Sequence, residues 1–181
     1  MSRIPYLTAE ALSTEQRRLA THLAGGSPGS VTDASAIWRR TPAIAEHALQ
    51  YEQVLYDNLA VPLPFRELVV LVTVRFWTAD TLWTEHQDRA LDAGLSADLI
   101  AAVAEHRTPP GASADEALVH AFASELLTQR RVDDDTFALV VARFGYQTVV
   151  ELVGVAGFYS MVALTCNAFA APPARGAFIP C

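Results

Sequence analysis

Pro64-Phe65-Arg66-Glu67-Leu68-Val69-Val70-Leu71-Val72-Thr73-Val74, running through Trp77 into the polar break Thr78-Ala79-Asp80, is the stretch that decides the fold. Proline suits the first helical turn, and Glu67, Val70, Leu71 and Val74 recur on one face at helical spacing. A carboxylate therefore sits on an apolar face, where a charge requires a partner. After the break the pattern predicts a second helix from Ala79 or Asp80 to Ala93, ended by Gly94 in the left-handed position beyond the C-cap. Ala79, Leu82, Trp83 and His86 share one of its faces.

Outward from this pair, helical punctuation continues in both directions. Ser13-Thr14-Glu15-Gln16 forms a capping box that opens a helix through Ala24, and Gly25-Gly26-Ser27-Pro28-Gly29-Ser30 follows as a loop or linker. Residues 1–30 are thus expected to be an N-terminal helix, arm and linker, and residues 31–181 one helical domain. Thr41-Pro42 opens a helix to about Leu59, stopped by Pro62 and Pro64. Ser96-Ala97-Asp98 opens a short helix through Glu105, and Thr108-Pro109-Pro110-Gly111 separates it from later helices at Ser113–Thr128, Asp133–Phe144 and Gln147–Phe169. Asp133-Asp134-Asp135 stands where a first helical turn favours negative charge, and is read as a cap, not a metal site. No segment alternates with period two between hairpin turns, so the fold class is all-α.

At 181 residues, 51% hydrophobic and 18% charged, the chain has the composition of a globular protein with a substantial core. Its formal net charge of −7 provides no basic stripe for phosphate backbones, so nucleic acid is not an expected partner. Arg17-Arg18, Arg39-Arg40 and Arg130-Arg131 read as solvated helix ends. Cys166 reads as a small buried hydrophobe and Cys181 as a thiol on a Pro/Ala/Gly-rich tail, with no zinc or disulfide spacing. Met1-Ser2-Arg3-Ile4-Pro5 lacks the apolar core of a secretory signal, and a cytoplasmic location is expected. Tyr146 to Phe169 reaches the roughly 20 apolar residues that span a bilayer. Gln147, Glu151 and Asn167 interrupt it without an aromatic belt or basic flank, so a helix buried in a soluble oligomer, and no membrane, is expected.

Glu85-His86 invites a metalloprotease motif, but position 90 is Ala90, and His22, His47, His106 and His120 fall on separate segments without ligand spacing. No catalytic metal is expected. A Gly-rich phosphate loop, a nucleophile elbow and a dinucleotide fingerprint are likewise missing, which leaves no cofactor to invoke. Glu67 and His86 remain as a potential carboxylate–imidazole pair, in which the carboxylate would fix the tautomer and orientation of a base. Each residue also has a structural explanation: a core histidine bonded to a carbonyl, and a glutamate serving the helix dipole or pairing with Arg66 or Arg75. Trp77, Trp83, Phe158, Tyr159 and Phe169 fit either a pocket wall or ordinary core.

Arg66-Glu67-Leu68-Val69-Val70-Leu71, then Trp83-Thr84-Glu85-His86, then Ala90-Leu91-Asp92-Ala93-Gly94-Leu95-Ser96 resembles the carboxymuconolactone decarboxylase family, which includes the alkylhydroperoxidase D-like proteins. The resemblance covers best Pro42 to Glu105. Glu151-Leu152-Val153-Gly154, Phe158-Tyr159-Ser160-Met161-Val162-Ala163 and Asn167-Ala168-Phe169 look like the family's closing helix. It implies an all-helical bundle that forms homo-oligomers, commonly trimers or hexamers. In the peroxidase branch two cysteines separated by two residues work between a glutamate and a histidine. Glu67 and His86 match the latter two, whereas Ala79 and Leu82 stand in the thiol positions, so disulfide-based peroxide reduction has no nucleophile there.

The expected function is a cofactor-independent acid–base enzyme, a decarboxylase or a lyase or isomerase, acting on a small carboxylated lactone or enolisable metabolite. His86 would be the acid–base residue and Glu67 its orienting partner, with Trp83, Tyr159 and Asn167 binding substrate. The alternative is a non-catalytic oligomer that binds a ligand, which fits Leu82 standing where many relatives carry a glutamate. A thiol-dependent peroxidase using Cys166 comes third.

Overall fold

α4 (Leu63–Phe76) is the pillar of the molecule, because nine consecutive residues from Glu67 to Arg75 are buried. The sequence pattern marks one apolar face; the structure wraps the helix on all sides with α5 (Asp80–Asp92), α7 (Ala114–Thr128) and α8 (Asp134–Phe169). A helix apolar all round is one that is enclosed. The computed structural model describes residues 3–5, 7, 9–24 and 33–171, and every regular element among them is helical. The remaining helices are α1 (Thr14–Ala24), α2 (Asp33–Trp38), α3 (Pro42–Asp57) and α6 (Ala97–Ala104), with a 3-10 turn at Ala9–Ala11.

Most helix starts follow the expected chemistry. Ser13 and Gln16 exchange backbone and side-chain hydrogen bonds of 2.8 and 3.2 Å, completing the capping box of α1. Ser96 caps α6 and Ser113 caps α7, the latter with Glu116 closing a second capping box. Thr41 and Asp133 make no side-chain cap bond. At α8 the role passes to Glu125 of α7, which accepts from the Asp133 N–H at 3.0 Å and the Thr136 hydroxyl at 2.8 Å.

The two helices expected at Asp133–Phe144 and Gln147–Phe169 are both present, and α8 is the pair meeting at a kink at Gly145, whose φ of +81° lies in the region that glycine tolerates. Short α2 escapes the sequence pattern, yet it packs on α3 and α8. The Gly25–Ser30 linker and Cys181 lie outside the described residues. Near the N-terminus the Arg3 N–H donates to the Phe169 carbonyl at 2.8 Å, so the chain start lies against the end of α8.

α8 is long and apolar enough to cross a membrane by length and composition, but half of its most apolar 18-residue window is buried inside the fold. Its inner face carries Leu152, Val155, Tyr159, Val162 and Cys166. Tyr146, Val150, Val153, Met161 and Leu164 remain exposed on the outside.

Candidate active site

The turn Trp77-Thr78-Ala79 reverses the chain so that α4 and α5 lie side by side, with Thr78 at a φ of +51°. Glu67 near the start of α4 and His86 in the middle of α5 thereby meet in the core. The Glu67 Oε2 to His86 Nδ1 distance is 2.8 Å, and the two residues are 1% and 2% exposed. An ionised carboxylate only accepts hydrogen bonds, so Nδ1 is the donor of this contact and Nε2 is the ring nitrogen left to exchange a proton. Glu67 also meets the Arg66 guanidinium, Nε to Oε1 at 3.5 Å, and Arg66 Nη1 donates to the Leu55 and Tyr56 carbonyls. Arg66 thus compensates the buried carboxylate and ties it to α3, whereas Arg75 donates to the Ala104 carbonyl instead.

Tyr159 of α8 stands edge-to-face against His86, with ring centroids 4.8 Å apart. Its hydroxyl pairs with that of Tyr56 at 2.8 Å, and Arg89 donates to the Tyr56 oxygen. Arg89 also pairs with Glu85 one turn earlier. The guanidinium groups of Arg66 and Arg89 lie 4.6 and 5.3 Å from the centre of the Tyr56 ring, within cation–π range. From buried His86 outward, the polar groups become steadily more accessible through Tyr159 and Tyr56 to Arg89.

Two consequences follow for protons. Burial, then the neighbouring Tyr56, pushes the Tyr159 phenol well above its usual range, and burial also raises Tyr56, so both are hydrogen-bond donors at neutral pH. Glu52, half-buried one turn before Tyr56, is pushed up from 4.5 to about 7, chiefly by burial, with Arg89 opposing and Glu85 reinforcing the shift. With Glu52 protonated, the carboxylates of Glu67 and Glu85 balance the guanidinium groups of Arg66 and Arg89. A carboxyl that titrates near neutrality at the Arg89 end of this cluster is a candidate for proton exchange with solvent.

Among the residues expected from sequence, Glu67, His86 and Tyr159 come together. Trp83 is buried on the same helix, and its indole N–H donates to Gln87 at 2.9 Å. Asn167 is exposed and donates to the Trp77 carbonyl at 2.6 Å. It lies eight residues beyond Tyr159, about 12 Å further along α8, beside a cavity at the start of α5. Ala79 and Leu82 are buried and line up with His86, and Cys166 is buried on α8. No cluster of three or more potential metal ligands occurs among the described residues. Glu52, Tyr56 and Arg89 were not anticipated. The available signals were the i, i+4 spacings Glu52/Tyr56 and Glu85/Arg89, which place polar groups in rows on α3 and α5.

No family model matches the chain, and no curated protein matches it.

Proposed function

We propose that this protein is a cofactor-independent acid–base enzyme of the carboxymuconolactone decarboxylase kind, acting on a small carboxylated lactone or enolisable metabolite in the cytoplasm. The observation that carries this reading is the 2.8 Å contact between two buried groups, the Glu67 carboxylate and His86 Nδ1. Glu67 holds the tautomer that leaves Nε2 as base, and stabilises the imidazolium once a proton is taken up. In decarboxylation Nε2 first takes the proton of the substrate's carboxyl group, the bond to the departing carboxylate breaks with release of carbon dioxide, the electron pair enters the unsaturated carbonyl system, and the imidazolium returns the proton to carbon. In isomerisation or elimination the same nitrogen removes a proton first. Tyr159 and Tyr56 are the phenol donors for enolate-like charge, with Trp83 as wall. Asn167, engaged by Trp77, is the more remote polar contact.

The site is proposed to work in a homo-oligomer, a trimer or hexamer. Tyr146, Val150, Val153, Met161 and Leu164 expose apolar surface along one side of α8, and Gly157 lies within the same row at helical spacing.

A second reading is favoured by one number: His86 is only 2% exposed, as a structural histidine would be. In that case the fold is a non-catalytic oligomer that binds a ligand or a partner through the retained pocket. Peroxide reduction through Cys166 has the least support, because Ala79 and Leu82 occupy the positions beside His86 where a thiol pair would act.

Turnover of a panel of carboxylated lactones and β-keto acids by the wild type and His86→Ala, read by mass spectrometry in deuterated water, separates these readings. Carbon dioxide release that depends on His86 supports decarboxylation. Deuterium incorporation alone supports isomerisation or elimination, and identical traces refute an acid–base role on these substrates. NMR titration of His86 in Glu67→Gln tests the partner: an unchanged midpoint removes the orienting role of Glu67.

A further inference from the structure

A cavity of about 300 Å³ lies between the turn that opens α5 and the end of α8, walled by Thr78, Asp80, Thr81, Cys166, Asn167 and the Ala170–Ala171 pair. Its volume is at the lower end of small-molecule sites. Two kinds of unfavourable structure gather there. Among the described residues three buried side-chain polar atoms lack a hydrogen-bond partner; one is Arg66 Nε, close to Glu67, and the others are Asp80 Oδ1 and Thr81 Oγ1 in this wall. Thr81 is nine-tenths buried, so its hydroxyl is withdrawn from solvent as well as from the protein. Thr78 and Ala170 hold φ values of +51° and +46°, a conformation that a β-branched residue in particular resists. Unpartnered buried polar atoms and strained backbone are both destabilising, and their concentration around one cavity marks a site that is completed by something else.

The wall states the chemistry of the missing partner. Among the described residues Asp80 is its one charged residue, and no lysine, arginine or histidine of that set lines it. Asn167 uses one amide N–H on the Trp77 carbonyl, which leaves its own carbonyl oxygen to accept and a second N–H to donate. Arg3 donates to the Ala168 carbonyl beyond the lining. The cavity is therefore rich in acceptors, with the hydroxyls of Thr78 and Thr81 able to act either way. Rotation of Asp80 or Thr81 toward a ligand sacrifices no hydrogen bond at Oδ1 or Oγ1, because neither atom makes one.

We propose that this cavity binds a small protonated amine, with Asp80 as counter-ion and Thr81 and Asn167 as polar contacts. The site is separate from the Glu67–His86 pair. Thr81 and His86 are five residues apart on α5, so they project about 140° from one another around the helix. Asn167 is the one residue offered to both sites, so the two readings are separated by Asp80→Asn and Thr81→Val on amine binding and by His86→Ala on turnover.

The test is binding of ethanolammonium chloride to the full chain at constant ionic strength, followed by ligand-observed NMR and by tryptophan fluorescence, since Trp77 abuts Asn167. Saturable binding is expected, with none for glycerol or sodium acetate. Asp80→Asn should weaken it by at least about tenfold through loss of the charge-assisted bond, and Thr81→Val should weaken it severalfold. Asp98→Asn, an exposed carboxylate on α6, should leave it unchanged. Absence of saturable binding, equal binding by acetate, or an equal effect of Asp98→Asn overturns the proposal. If Asp80→Asn does not fold, Thr81→Val decides, because it deletes only an unpartnered hydroxyl: unaltered affinity in that variant refutes the site.

Discussion

Replacing Glu52 with glutamine should change the pH dependence of stability in a way that measures how strongly the tyrosine–arginine cluster is shielded from water. The folded protein holds the Glu52 carboxyl at about 7 against a usual 4.5, mainly because burial disfavours its charge. Below pH 4.5 the group is protonated in both folded and unfolded chains and contributes no difference. Between 4.5 and about 7 the unfolded chain releases the proton while the folded one keeps it, so stability falls as pH rises through this window. Above it both forms are ionised and the loss is complete. At about 1.4 kcal/mol for each factor of ten in proton affinity, the full loss is roughly 3 kcal/mol. Glu52→Gln lacks this slope. Urea unfolding of both proteins at pH 4, 5.5 and 8 should give coincident stabilities at the acid end and a variant more stable by roughly 3 kcal/mol at pH 8. His120, which burial holds below its usual value, acts with the opposite sign but is shared by both proteins and cancels. Parallel curves at all three pH values would refute the reasoning, because the Glu52 carboxyl would then ionise as it does in water.

Three further outcomes test other parts of the structure. Thr81→Val should leave stability unchanged or raise it by about 1 kcal/mol in urea unfolding, since the hydroxyl it removes has no partner. Gly145→Ala should lower stability in urea unfolding by about 1–3 kcal/mol through backbone strain alone, as a β-carbon there meets no atom within 4 Å. Val150→Glu, on the exposed side of α8, should reduce the mass seen by light scattering if that side joins subunits; an unchanged oligomer would move the interface elsewhere.

The contrast between what sequence reveals and what it hides is clearest in α4 and α5. Apolar spacing and the Thr78 break place Glu67 and His86 on facing helices because both signals are local. Tyr56 and Arg89 join the site from separate helices, 33 residues apart in the chain, and no periodicity reports that their side chains meet. α2 is six residues long and follows a Gly/Ser-rich segment, too short for a face to repeat. Gly145, by contrast, reads as a helix end from sequence, and its non-helical backbone does separate two helical stretches. The all-round burial of α4 is equally invisible as a single-face pattern, since α5, α6, α7 and α8 each supply part of the cover.

That enclosure of α4 also sets a clock for the molecule's openings. Backbone amides from Glu67 to Arg75 are sheltered by α5, α7 and α8 together, so no single neighbour moving away exposes the helix on all sides. Their exchange with deuterated solvent should track the global unfolding free energy, while α1 at the periphery exchanges through smaller local openings. Because Glu67 belongs to this enclosed segment and its partner to another helix, exchange at the His86 amide faster than at the Glu67 amide is the expected sign that α5 opens without α4.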